Sequence, residues 1–166
     1  MTKRNELISS IVTKLKVFKE NQVRDIINRT ENPNILTFQS SKDEKSISIP
    51  IWTLLFENKF YIFSSKNSQK VKAIEQGNIE VVLLIVNTDF FPHPEANEIP
   101  YLGLKASAKI VHYSENKLVP KIHQLLLKKY DPDLSHDWIK KLYDKLNESP
   151  EKAWLIELNP FTFYSY

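Results

Sequence analysis

Residues 58–71, NKFYIFSSKNSQKV, decide how the rest of the chain is read. Phe60, Tyr61, Ile62 and Phe63 form a short aromatic and β-branched run, the pattern of a strand. Two hydroxyls follow, Ser64 and Ser65, and then a polar turn, Lys66-Asn67-Ser68. Ser68 is placed to cap a helix that opens with Gln69, Lys70, Val71 and Lys72. A strand end, hydroxyls, free N–H groups and lysines at a helix start make a candidate anion site. The same pattern also suits a plain strand–turn–helix with solvated lysines. The neighbouring sequence has to separate the two.

Upstream, the period is that of strands. Asn34–Ser40 is the first, and Ser46–Leu55 the second, with Ile47, Ile49 and Ile51 on one face by strict alternation. Pro50 interrupts that second run and cannot donate to a ladder, so the strand is at an edge, bulged or split. Glu57-Asn58 makes a hairpin turn into the third strand, Phe60–Ser64. Before the strands, two amphipathic stretches, about residues 3–19 and 22–29, read as helices. Together, residues 1–30 form a helical cap without evident chemistry.

Downstream, helix 68–76 ends at Gly77, a good C-terminal cap. Ile79–Val86 is almost wholly apolar and predicts a strand buried on both faces. Residues 87–100, with three prolines, predict a long loop of the kind that forms lids. Tyr101–His112 alternates again: Leu104, Ala106, Ala108 and Ile110 share one face, Lys105, Ser107 and Lys109 the other. A helical insertion over 114–148 holds helices at 116–129, with Pro120 near its start, and at 135–147, with Ser135 as cap. The last strand is Ala153–Leu158, followed by Asn159-Pro160 and the aromatic end FTFYSY. Six strands with antiparallel hairpins and flanking helices predict a mainly β, six-stranded antiparallel barrel over one domain, residues 1–166.

Composition narrows the function. With no cysteine, disulfides, thiol catalysis and Cys-ligated metals are excluded. Two glycines, Gly77 and Gly103, are too few and too far apart for a P-loop or a dinucleotide fingerprint. All the arginines, Arg4, Arg24 and Arg29, lie in the first thirty residues. Any anion bound beyond Arg29 is therefore held by lysine, hydroxyls and backbone, without a guanidinium fork. The absence of a long apolar run or a secretory apolar core predicts a cytoplasmic protein with no membrane partner. The net charge of +3 says little about nucleic acid, and Glu57 and Glu75 dilute the lysines at 59–72, so no nucleic-acid partner is expected.

The order of these pieces resembles the split-barrel FMN-binding family that includes pyridoxamine 5'-phosphate oxidase-like proteins. The resemblance spans residues 22–166 and rests on Ile47–Trp52, Tyr61–Lys70, Leu104–Val111 and Trp154–Phe163. It implies a homodimer with FMN at the subunit interface and hydride transfer through flavin N5 to or from a small substrate. By position, Ser64, Ser65, Ser68, Gln69 and Lys70 would surround the phosphate. Ile49, Pro50, Ile51 and Trp52, with Phe63 nearby, would run along the ring. The arginines of the namesake oxidase have no counterpart here, which speaks against the namesake reaction. A non-catalytic flavin, deazaflavin or haem sensor of the same fold is the alternative.

No catalytic residue stands out, in keeping with chemistry that resides in a cofactor. The histidines show no metal-ligand spacing. His93 on the loop has a reading as a substrate or haem contact, whereas His123 and His136 read as helix-surface residues. Trp52, Trp138 and Trp154 each suit a core, and Trp52 also suits a place beside the flavin.

Overall fold

A computed structural model describes residues 3–15, 20–30, 34–40, 42–43, 45–87 and 101–164. Its organising hairpin joins β3 (Thr53–Phe56) to β4 (Lys59–Ile62) through Glu57 and Asn58, at φ 46° and 67°. Two consecutive left-handed residues give the two-residue turn whose twist matches a hairpin. Asn58 extends the effect, because its Oδ1 accepts from Leu7 N at 3.1 Å and ties α1 (Lys3–Leu15) to the turn.

The remaining elements, in chain order, are α2 (Glu20–Asn28), β1 (Asn34–Gln39), β2 (Ser46–Ile51), α3 (Gln69–Glu75), β5 (Glu80–Val86), β6 (Tyr101–His112), α4 (Val119–Tyr130), α5 (Asp137–Glu148) and β7 (Trp154–Tyr164). Among the described residues all strands join one antiparallel sheet in the order β2-β1-β5-β6-β7-β4-β3. Its two end strands, β2 and β3, are consecutive in the chain with Trp52 alone between them. Two residues span at most about 7 Å, so the sheet must curl until its edges meet at Trp52. The edges meet there without pairing, which makes the barrel a split one. The count is seven strands rather than six because the run at 46–55 divides at Trp52, two residues after the proline.

The interior is filled by alternate residues of the strands, among them Leu36, Phe60, Ile62, Leu83, Leu104 and Ile156, all fully buried. α1 and α2 close it: Ile8, Ile11, Val23, Ile26 and Ile27 belong to the same core, so the first helices are structural members of the barrel. Ala106 and Ala108, small and buried, leave room for α3, whose Val71, Ala73 and Ile74 share that core. On the outer face of β4, β7 and the end of β6, α4 and α5 cover a second core that includes Tyr61, Val111, Leu155, Ile122 and Ile139.

Several expectations are corrected. β5 is buried on one face only: Val81, Leu83 and Ile85 point inward, while Val82, Leu84 and Val86 remain half-buried. The reason is that β5 is antiparallel to both neighbours, so no crossover helix covers its outer face. β7 does not stop at Leu158. It continues to Tyr164 because a bulge between Lys105 and Ala106 of β6 leaves Phe161 as an extra residue beside Pro160, where a missing N–H is tolerated. Ser135 is not the cap of α5. The capping residue is His136, and its N–H, with the N–H and Oγ of Ser135, donates to the buried carboxylate of Asp131.

Candidate functional site

The turn after β4 brings together most of the hydroxyls expected there. Ser64 is buried, and its Oγ lies 2.7 Å from Ser68 Oγ. Ser68 caps α3 as expected, accepting from Val71 N at 3.3 Å, and its N–H donates to Ser65 O at 3.0 Å. Ser65 and Gln69 face solvent. Lys70, half-buried in the first turn of α3, has no hydrogen bond or ion pair among the described residues. Burial holds its ammonium below the usual lysine range. A desolvated cation without a counter-ion is an unsatisfied arrangement that an anion completes.

The second group of expected residues adjoins the first through the hairpin. The last registered pair of β3 and β4 is Thr53 with Ile62, so the next residues, Trp52 and Phe63, leave the ladder together. β2 is an end strand, paired only with β1, and Pro50 is exposed on it. Ile49 and Ile51 pack against the barrel core. The Trp52 ring is already engaged: it stacks on Tyr130 at 4.7 Å, 6° from parallel, and on Trp138 at 5.6 Å. Trp138 is about half exposed (52%) rather than core, and completes this stack at the surface.

The split itself is held by α4. The Tyr130 hydroxyl accepts from Thr53 N and from Asn34 Nδ2, both at 3.0 Å, and donates to Thr53 O at 3.3 Å. Burial raises the Tyr130 pKa, opposed by those bonds, so the phenol stays protonated and able to donate. Lys129 Nζ donates to Thr53 O and to Ile27 O, both at 3.0 Å. The backbone N–H and C=O of Thr53 are thus both satisfied.

Two further buried polar groups lie outside the expected site. Glu157, buried on the outer face of β7, accepts from Lys59 at 2.8 Å and from Tyr61 Oη at 3.0 Å. Burial first, and then the Glu157 charge, raise the Tyr61 phenol far above its usual range. His123 is the larger surprise. Expected on a helix surface, it is 4% exposed, and neither ring nitrogen has a hydrogen-bond partner. The Phe63 ring lies 4.9 Å away, tilted by 34°. Burial pushes the imidazole down to about 4, so it is neutral. The signal was present in the spacing: Val119, His123, Leu126 and Leu127 fall on one helical stripe.

His93 and nearly all of the 87–100 loop lie outside the described residues. Among the described residues, no cluster of three or more His, Asp or Glu is arranged to hold a metal ion, and no helix is long and apolar enough to cross a membrane.

No family model and no curated protein sequence matches the chain. Solved structures do match in fold. A conserved hypothetical protein of Mycobacterium tuberculosis aligns at TM-score 0.66 and 14% identity, over 90% of this chain and 85% of that one. An F420 reductase aligns at TM-score 0.58 and 15% identity, over 85% and 94%. A Clostridium acetobutylicum protein related to general stress protein 26, described as of the pyridoxinephosphate oxidase family, aligns at TM-score 0.54 and 13% identity, over 98% and 89%. At these identities the likeness establishes the architecture: the chain has the split-barrel fold of the pyridoxamine 5'-phosphate oxidase-like and F420 reductase structures.

Proposed function

We propose that the chain binds FMN and serves as a flavin-dependent oxidoreductase acting on a small-molecule substrate. The observation that carries this is Lys70, a half-buried ammonium with no counter-ion among the described residues, in the helix turn that follows the Ser64–Ser68 hydroxyl pair, on a fold shared with an F420 reductase. In this reading Ser64, Ser65, Ser68, Gln69 and Lys70 anchor the phosphate. The free edge of β2 from Ile49 through Pro50 and Ile51 to Trp52, with Phe63, flanks the ring.

When bound, the flavin supplies hydride chemistry at N5. The chain's own part is to bind and orient. Lys70 supplies a positive charge, Ser64 and Ser68 supply hydroxyl donors, and the apolar side chains of β2 keep water from one side of the ring. No proton-transfer residue is required of it. The half-buried apolar row Val82, Leu84 and Val86 supports a homodimer with the cofactor between subunits, since a second copy would remove that row from water. A deazaflavin is the second reading, favoured by the likeness to the F420 reductase, and spectra distinguish the two.

The test compares FMN with riboflavin, which lacks the phosphate. Lys70→Ala weakens FMN by about 1.5–3 kcal/mol, the loss of a charge-assisted hydrogen bond, and leaves riboflavin nearly unchanged. Equal losses for both ligands contradict the phosphate assignment. Failure of micromolar FMN to bind or to raise the melting temperature removes the flavin reading.

A further inference from the structure

A cavity opens beside Phe63. It is a cleft of about 290 Å³ between the strand end, the last turn of α5 and the start of β7. Phe63, Leu146 and Trp154 form its apolar wall. Its rim carries Lys66, Lys145 and Lys152, and no carboxylate lines it. None of the three ammonium groups has an ion-pair partner among the described residues. In the wall sits His123, with both ring nitrogens unpartnered. Native interiors rarely leave such atoms unpaired, and three unbalanced cations at one rim repel each other. One kind of ligand satisfies both: a body that is apolar with a polar edge, carrying a negative group.

We propose that this cleft binds a small amphipathic anion, an aromatic or aliphatic body bearing a carboxylate or phosphate. The lysines take the anionic group, and His123 hydrogen-bonds the body when the Phe63 ring turns aside. Phe63 lies outside the ladder and is only half-buried, so its rotation disturbs no strand pairing. Two polar contacts and an apolar wall in a volume near the lower end of ligand pockets suit a single-ring compound. The cleft shares Phe63 with the flavin reading but not its phosphate anchors, because Ser68 and Lys70 do not line it.

Titration of the full chain with phenyl phosphate, benzoate and benzyl alcohol, followed by NMR, tests it. The two anions perturb the signals of Phe63, His123 and Trp154, and the neutral alcohol binds at least about tenfold more weakly. Tighter binding of phenyl phosphate identifies a phosphate ligand; tighter binding of benzoate identifies a carboxylate. The Lys145→Ala/Lys152→Ala variant, altered only at exposed side chains, weakens the better anion about tenfold, while Lys70→Ala leaves it unchanged. His123→Leu weakens it too. The proposal is overturned if neither anion perturbs those signals, if the double-lysine variant binds as tightly as the parent, or if the perturbations map to Ser68 and Lys70.

Discussion

The buried imidazole of His123 makes acid stability the most direct measurement on this protein. The group titrates at its ordinary value near 6.5 when unfolded and at about 4 in the folded chain. A lowered folded value means that the native state resists protonation. The stability linked to His123 is therefore fully present above pH 6.5 and is lost as the pH falls toward 4. The full difference corresponds to about 3 kcal/mol, of which about 2 kcal/mol is gone by pH 5. His123→Leu removes both the titration and an unpartnered polar group from the α4 stripe. The variant is expected to be more stable than the parent by about 1 kcal/mol at pH 8 and by about 3 kcal/mol at pH 5. Urea unfolding of both proteins across pH 8 to pH 5 reads these values directly, and subtraction cancels the contributions of the other histidines. The burial argument is refuted if the gap between the two proteins does not widen as the pH falls.

Other substitutions probe the scaffold. Asp131→Ala removes the carboxylate that holds the start of α5 and costs about 1–2 kcal/mol in denaturant unfolding, whereas Ser135→Ala costs clearly less. Equal costs would return the capping role to Ser135. Glu157→Ala strands Lys59 and the Tyr61 hydroxyl and lowers stability by about 3 kcal/mol; a loss under 1 kcal/mol shows that water replaces the carboxylate. A Cβ at Gly103 would fall within the Tyr164 ring, so Gly103→Ala destabilises by about 1–3 kcal/mol. Combining it with Tyr164→Ala reverses the clash, and an additive loss in the double variant excludes that explanation.

Local signals were legible where local chemistry decides. The Glu57-Asn58 turn, the Ser68 cap, the proline at the start of α4 and the alternation along β6 all stand as read, because each depends on residues within a few positions. The interruption at Pro50 was legible as a disturbance, but its form, a corner at Trp52, depends on Tyr130 and Lys129 of α4, far away in sequence. Ser135 does not cap α5 for a related reason: the loop folds back so that the carboxylate of Asp131 collects its donors and His136 takes the cap position. His123 was misplaced because a polar side chain on an apolar stripe was weighed by its type rather than its spacing. At the candidate site, the spacing put Ser64 and Ser68 in one turn, and their hydroxyls do meet. It could not foresee that Trp52 would be occupied by two aromatic neighbours.

The place of β7 in the sheet has a consequence for synthesis. It is the last strand of the sheet in chain order, yet it lies between β6 and β4 and supplies the only partner, besides β3, that β4 has among the described residues. About a hundred residues separate Ile62 from Tyr164, which at ordinary translation rates is roughly 5–20 s. During that interval the β3–β4 hairpin carries Phe60 and Ile62 with one edge unpaired. Loss of the final strand, by truncation or a stalled message, leaves two half-sheets with open edges rather than a smaller barrel.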